Sequence, residues 1–299
     1  MKKFILLAFI CLSLSNLFAQ KGDSKIFFKV FGNYALPTSG SYRTSSYTSS
    51  VVNNNYTFNT VKDGLGMGLR AGIGVGIVLN DFINVGLDAE NYFGPAINSS
   101  NLYYYDNQAG LVTINNASVD YQAKIVMIGP NITFKALSQP NFFIYNRLTI
   151  KVGLTTKVTE KTNNEYNERF IEDVNLNPNP TDHITNFKQD FEYQGGIPFG
   201  FSAALGFQIK LTDKIRFFTE VEFTQLTYNP KKKVMTLWVN NDGTTVDLST
   251  LDKIQVETEY KKNYTILDGQ TDNNAPQPQP TLRMPFSSIG LGIGLIYRM

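Results

Sequence analysis

The chain has 299 residues, with 27 Lys and Arg against 25 Asp and Glu, and a single His, Cys and Trp, too few ligands for most metal or thiol chemistry. The near balance of charge argues against a nucleic-acid partner, which needs a basic surface to displace phosphate counterions. With 17 % charged and 13 % aromatic residues, disorder is excluded as the main state.

Residues 1–19 join a positive start, Lys2 and Lys3, to an apolar run over 4–14 and a small Ala19 before Gln20. This is the pattern of a removed secretory signal peptide. A membrane helix needs about 20 apolar residues, and the run supplies only about 11. Cys11 leaves with the leader, so residues 20–299 are expected to form one exported, disulfide-free domain with no formal net charge. No other stretch approaches the length of a membrane-spanning helix, which leaves a soluble β-protein or a barrel.

Along the exported chain the dominant signal is alternation with period 2, the signature of a strand with two unlike faces. Over 26–34, Ile26, Phe28, Val30 and Tyr34 oppose Phe27, Lys29, Phe31 and Asn33. Over 64–79, Leu65, Met67, Leu69, Ala71, Ile73, Val75, Ile77 and Leu79 face away from six glycines and Arg70. A helix would scatter those glycines at about 1 kcal/mol each relative to Ala. Asn80 and Asp81 turn the chain into 83–93, where Ile83, Val85, Leu87, Ala89 and Phe93 oppose Asn84, Gly86, Asp88, Glu90 and Tyr92. In 119–137, Tyr121, Ala123 and Ile125 are assigned to the apolar face against Asp120, Gln122 and Lys124, with a bulge expected near Gly129 and Pro130.

In 142–156, Ile144, Leu148, Ile150, Val152 and Leu154 oppose Tyr145, Arg147, Thr149 and Lys151. In 197–211, Phe199, Phe201, Ala203, Leu205, Phe207 and Ile209 oppose Gly200, Ser202, Ala204, Gly206, Gln208 and Lys210. In 215–228, Phe217, Val221 and Phe223 oppose Arg216, Glu220, Glu222 and Thr224. The last segment, 289–299, sets Ile289, Leu291, Ile293, Leu295, Tyr297 and Met299 against Gly290, Gly292, Gly294 and Arg298.

Short connections (80–81, 138–141, 212–214) alternate with long ones (37–63, 95–118, 157–194, 230–282). An even strand count, short turns at one end and long loops at the other describe a transmembrane antiparallel β-barrel, with eight strands expected. Ten is the alternative, should 253–266 cross the membrane with a partner. Val234–239 and 253–266, around an Asn241-Asp242-Gly243 turn, are otherwise read as hairpins outside the membrane, with Pro276, Pro278 and Pro280 a stiff approach to the last strand. A soluble barrel would bury its bulky apolar face; here the opposite face carries glycines and charges of both signs, which suits a narrow polar lumen.

The C-terminal segment, with Tyr297 and Met299 in the alternating positions, resembles the terminal signature by which Gram-negative assembly machinery recognises outer-membrane proteins, although the usual final Phe is a Met here. With the Lys-led leader, Gln20 and Asn- and Tyr-rich loops, the whole chain resembles the small outer-membrane β-barrel proteins of Bacteroidetes, porin-like or OmpA-OmpW-like. The resemblance implies a cell outer-membrane location with periplasmic termini and extracellular loops. As partners it implies the assembly machinery, outer-membrane lipid and lipopolysaccharide.

The lumen charge set read from the alternation is Lys29, Arg70, Asp88, Glu90, Lys124, Arg147, Lys151, Lys210, Arg216, Glu220, Glu222 and Arg298, with Asp120 beside it. An eight-stranded interior is about filled by its own side chains, so these are expected to form a plug of ion pairs. A gated path through rearranging pairs, such as Arg147 or Lys151 with Glu220 or Glu222, is the sharper alternative. The glycines at 64–76 are not a phosphate loop, which requires a turn into a helix. His183, beside Asp182, is the one candidate general base, placed in a polar loop.

Tyr34, Tyr92, Phe93, Tyr228 and Tyr297 are candidates for interfacial girdles. The expected role is structural or interactive, with the long loops contacting an extracellular ligand or protein. A narrow channel, a lipid-modifying enzyme built on His183 and a part in a secretion or assembly machine are the alternatives. No catalytic residue, cofactor or metal is assigned, and the protein is expected not to be an enzyme.

Overall fold

A computed structural model describes residues 26–39, 45–50, 55–60, 64–106, 111–139, 141–170, 183–264 and 272–299; the segment expected to be a leader lies outside them. The strands in chain order are β1 (Ile26–Pro37), β2 (Ser45–Ser50), β3 (Asn55–Thr60), β4 (Gly68–Val78), β5 (Ile83–Phe93), β6 (Ile97–Asp106), β7 (Leu111–Ser138) and β8 (Phe142–Phe170). They continue as β9 (His183–Gln194), β10 (Phe199–Lys210), β11 (Ile215–Tyr228), β12 (Lys232–Val239), β13 (Glu257–Lys261), β14 (Gln277–Pro280), β15 (Met284–Pro285) and β16 (Ser288–Arg298). One helical turn, α1 (Lys253–Val256), precedes β13. Among the described residues no helix is long and apolar enough to cross a membrane.

Eight strands close on themselves in the order β1-β4-β5-β7-β8-β10-β11-β16, every neighbour antiparallel. The seam is β1 with β16, in register from Phe27↔Arg298 to Pro37↔Ser288. These strands lie in the eight alternating segments of the sequence. The ten-strand alternative fails because the ring is already closed, and 253–261 enters α1 and then β13 outside it. Side-chain caps explain the tight turns. Asn80 Oδ1 accepts the N–H groups of Phe82 and Ile83 at 2.8 and 2.7 Å, and Thr212 Oγ1 accepts that of Ile215 at 2.9 Å.

The bulky apolar rows point outward. Leu291 and Ile293 are 67 % and 59 % exposed, and Phe28, Val30, Ile73, Leu148, Ile150, Phe199 and Leu205 are also exposed. The facing rows are buried and alternate between large and small around the ring, an arrangement common in small barrels. β4, β10 and β16 contribute mainly Gly, Ala and Ser, while β1, β5, β8 and β11 contribute charged and aromatic side chains.

The structure corrects the expected facing in two segments. β4 begins at Gly68, and Leu65, assigned to the outer face, is 1 % exposed. In β7 the residues Ala123, Ile125 and Met127 point inward and are fully buried, so Lys124 faces out and is exposed. β7 does not change phase at Gly129 or Pro130. The register is irregular elsewhere: Val126 pairs Thr155 and Met127 pairs Gly153, leaving Leu154 of β8 as an extra residue, and Lys135 pairs Tyr145 and Leu137 pairs Ile144, leaving Ala136 of β7 as another. The assumption that inward means polar fails where the lumen itself becomes apolar.

The long connections are strand-rich. β7 and β8, at 28 and 29 residues, each span about 90 Å at about 3.3 Å per residue, against a membrane core of about 30 Å. Their far halves are the centre of a wing that continues the same sheet beyond the ring, ordered β3-β2-β6-β7-β8-β9-β12-β13-β14. The chain returns from this wing into the barrel through Gly195 and Gly196, with φ of 71° and 79°, a left-handed backbone that glycine adopts without strain. A Cβ at Gly196 would lie 2.1 Å from the Asn229 carbonyl oxygen.

Candidate functional site: a filled lumen

In the middle of the barrel, four cations and four anions are buried: Lys29, Arg70, Arg147 and Lys151 with Asp88, Glu90, Glu220 and Glu222. Their alternation with small residues brings them together. Between Lys29 on β1 and Asp88 on β5 lies Gly74 of β4, in register with both. A Cβ there would lie 2.3 Å from Asp88 Oδ1 and 2.7 Å from Lys29 Cε. The glycine leaves the space through which Lys29 Nζ reaches Asp88 Oδ2 at 2.7 Å. Gly206 likewise makes room for the Tyr145 ring, which its Cβ would approach to 2.2 Å.

Arg147 is the hub. Its Nη1 donates to Asp88 Oδ2 at 2.8 Å and its Nη2 to Glu220 Oε1. Glu220 also accepts the Tyr145 hydroxyl at 2.8 Å. Lys151 Nζ bridges Glu90 at 2.6 Å and Glu222 at 3.1 Å, and Asn33 Nδ2 donates to Glu222 at 3.3 Å. Arg70 donates to Thr224 Oγ1 and Ser288 Oγ, both at 2.8 Å, and its guanidinium carbon lies 5.6 Å from the Tyr92 ring centre. Opposite charges held at this range offset one another's desolvation, the condition for burying them. A void of about 30 Å³ remains near Tyr145, Arg147 and Gln208.

Closed strands, a lipid-compatible outer belt and charge sealed inside invert the plan of a soluble protein, which rarely exposes contiguous apolar surface of this extent. The molecule is a closed eight-stranded antiparallel β-barrel with its apolar face turned outward, the architecture of a barrel that spans a membrane.

The remaining members of the sequence-derived set lie elsewhere. Lys124 is on the outer wall and opposes Lys157 across the strands. Lys210 is at a tight turn, paired with Asp213 at 2.6 Å, and holds that carboxyl below its usual range through a hydrogen bond. Arg216 and Arg298 are half-buried at the short-turn end, outside the central network. Asp120 accepts from Asn98 at 2.8 Å in the wing. Tyr297 and Met299 are exposed on the outer face of β16. His183 opens β9 in register with Glu168; its side chain lies outside the described residues.

The wing end of the lumen is closed by a cluster that the alternation does not reveal. Leu65, Tyr92, Ile97, Ala123, Ile125, Met127, Leu226, Tyr228, Met284 and Phe286 are packed there, fully buried. Tyr92 and Tyr228 are thus cap residues rather than girdle residues, whereas Tyr34, Phe93 and Tyr297 do face outward. Tyr92 donates to the backbone oxygens of Leu65 and, at 2.7 Å, Met67, and meets Phe286 edge-on with ring centres 6.0 Å apart. The usable signal is the isolated Met284-Pro285-Phe286 triplet just before the last strand.

Above the cap, Glu160 accepts from Tyr193 and, at 2.7 Å, from Lys233. Burial first, then the Glu160 charge, raise the Tyr193 phenol far above its ordinary pKa, so it remains a proton donor.

No protein-family model and no curated protein sequence matches the chain. Among solved structures it is similar to CarO2 of Acinetobacter baumannii, at 13 % identity and a TM-score of 0.26, covering 90 % of this chain and 98 % of that one. It is also similar to the outer membrane protease OmpT of Escherichia coli, at 9 % identity and a TM-score of 0.30, covering 92 % and 94 %. The monoaromatic hydrocarbon channel CymD follows at 8 % identity and a TM-score of 0.20, covering 93 % and 89 %. The expectation of a non-enzyme is withdrawn, since a protease stands among these barrels. Similarity at this level carries no reaction, substrate or solute to the present chain.

Proposed function

We propose that the protein is a non-conducting membrane anchor that holds the wing on the cell surface for contact with a ligand or partner, with both barrel ends of the chain on the periplasmic side. The observation that supports this is the lumen. Its central charges are held by fixed partners around a void of only about 30 Å³, and an apolar cap closes the wing end. A conducting path would have to part both fillings. In this reading lipid and lipopolysaccharide surround the belt, and the assembly machinery reads Tyr297 and Met299.

Purified protein in planar bilayers is expected to show no stable openings. A reproducible ohmic channel would overturn the anchor reading. A short epitope inserted between Asp242 and Gly243, in an exposed turn of the wing, is expected to be labelled in intact cells. Labelling only after the envelope is opened would reverse the orientation.

A further inference from the structure

At the short-turn end the lumen wall changes character. Lys135 of β7, Arg216 of β11 and Arg298 of β16 occupy inward positions there. Lys135 Nζ lies 5.2 Å from the centre of the buried Phe143 ring, and Arg216 Cζ lies 5.8 Å from the same centre. Arg216 and Arg298 are diagonal neighbours on adjacent strands, since Arg216 pairs Ile296, two residues before Arg298 on the same face; side chains so placed reach one another. Among the described residues none of the three has a carboxylate within 4 Å, whereas Lys210 beside them is taken by Asp213. The Nε groups of Arg216 and Arg298 are both buried and both lack an acceptor.

In the layer above them every cation has a fixed anionic or hydroxyl acceptor. The Nε of Arg70 also lacks an acceptor, but its two Nη groups are held by Thr224 and Ser288, whereas among the described residues Arg216 and Arg298 have no such fixed acceptor. Removing N–H donors from water without giving them an acceptor is costly, and gathering three positive charges adds repulsion. An ordinary carboxylate would leave most of that charge uncompensated. A phosphate group carries more charge and presents several acceptor oxygens, and the edge of a guanidinium, Nε with one Nη, matches two of them at once. We infer that this rim is a phosphate-binding site, built on Phe143 with Arg216, Arg298 and Lys135 as the binding cations. The phosphate comes from a free anion or from a phospholipid headgroup. The inference does not depend on which side of the membrane the rim faces.

The test uses the full barrel purified in a maltoside detergent free of phosphate. Its thermal midpoint is followed during titration with inorganic phosphate and, separately, with a short-chain phosphatidic acid, each against sodium chloride at equal ionic strength. Either titrant is expected to raise the midpoint saturably. A response to inorganic phosphate identifies a free anion as sufficient, and a response to the lipid alone identifies the headgroup as the source. The R216Q/R298Q variant is expected to lose at least tenfold in apparent affinity while its midpoint without titrant stays equal or rises, because repulsion has been relieved. K135Q, a milder change, is expected to weaken binding severalfold and serves if the double variant does not fold. No saturable response to either titrant, or an unchanged response in both variants, would overturn the assignment. So would a large fall in the untitrated midpoint, which would mean that the cations serve the fold alone.

Discussion

One tube is filled in two ways. Its middle holds charges whose partners are fixed by name, Arg147 between Asp88 and Glu220 and Lys151 between Glu90 and Glu222. Its wing end holds Tyr92, Met127, Leu226, Met284 and Phe286 in ordinary apolar contact. The two fillings fail differently. An apolar cap that loses a side chain gains a cavity, which its neighbours partly close. A charge network that loses one member keeps the others buried and unpaired, and no repacking supplies the missing sign.

The largest effect is therefore expected from Arg147→Ala, which leaves Asp88 and Glu220 without their shared cation. Breaking a buried pair from one side costs about 3–5 kcal/mol, and urea unfolding in detergent should show a loss of that size. The same variant should still show no stable openings in a planar bilayer, because the apolar cap remains in place; openings would make the ion pairs the sole seal. A loss below about 1 kcal/mol would mean that water already enters and screens the network, as at an exposed salt bridge.

Phe286→Ala tests the other filling. Removing a buried Phe typically costs about 3–5 kcal/mol, with the lower end expected where the site can collapse. The backbone of Phe286 is tied to the barrel by its N–H, which donates to the Leu226 carbonyl at 2.7 Å, so the segment should stay in place while the flexible Met127 and Met284 side chains of the same cluster partly fill the space, and the loss should approach about 3 kcal/mol. Conductance should remain closed, since the charged layer beneath is untouched. Stable openings in this variant would make the cap, and not the ion pairs, the seal.

The two regions also differ in how far they could be read in advance. The eight membrane strands were legible because lipid outside and polar residues inside impose opposite chemistry on alternate positions, as in 71–77 and 289–297. The same contrast marked Lys29, Arg147, Lys151, Glu220 and Glu222 as inward residues. Their pairings were not legible, because they depend on register across the ring, including the extra residue at Leu154. The cap was hidden for a different reason. Where the lumen is apolar, both faces of a strand carry similar residues, and the polarity of Ala123 and Ile125 no longer tells inside from outside. Phe286 and Met284 also enter from outside the regular strands of the ring. The wing was obscured by its composition, since β2, β6 and the far half of β7 are Ser-, Asn- and Tyr-rich and give little period-2 contrast.

Lys124 offers the smallest effect, and one whose sign discriminates. Polarity alone places it in the lumen beside Lys151, where losing an ammonium would strand buried carboxylates. The strand register instead sets it on the outer wall directly opposite Lys157, two like charges facing each other across β7 and β8. Such pairs are mutually destabilising by about 0.2–1 kcal/mol, reduced by exposure to solvent and salt. Lys124→Gln should therefore raise the unfolding free energy slightly, by about 0.2–0.5 kcal/mol, and the gain should fade as salt is added. Lys151→Gln, measured beside it, should lower the same quantity with little dependence on salt, because Glu90 and Glu222 are shielded from the ions that would screen them. A loss at Lys124 comparable to that at Lys151 would put both side chains in the lumen, and with them the inward face of β7 would have to be reassigned.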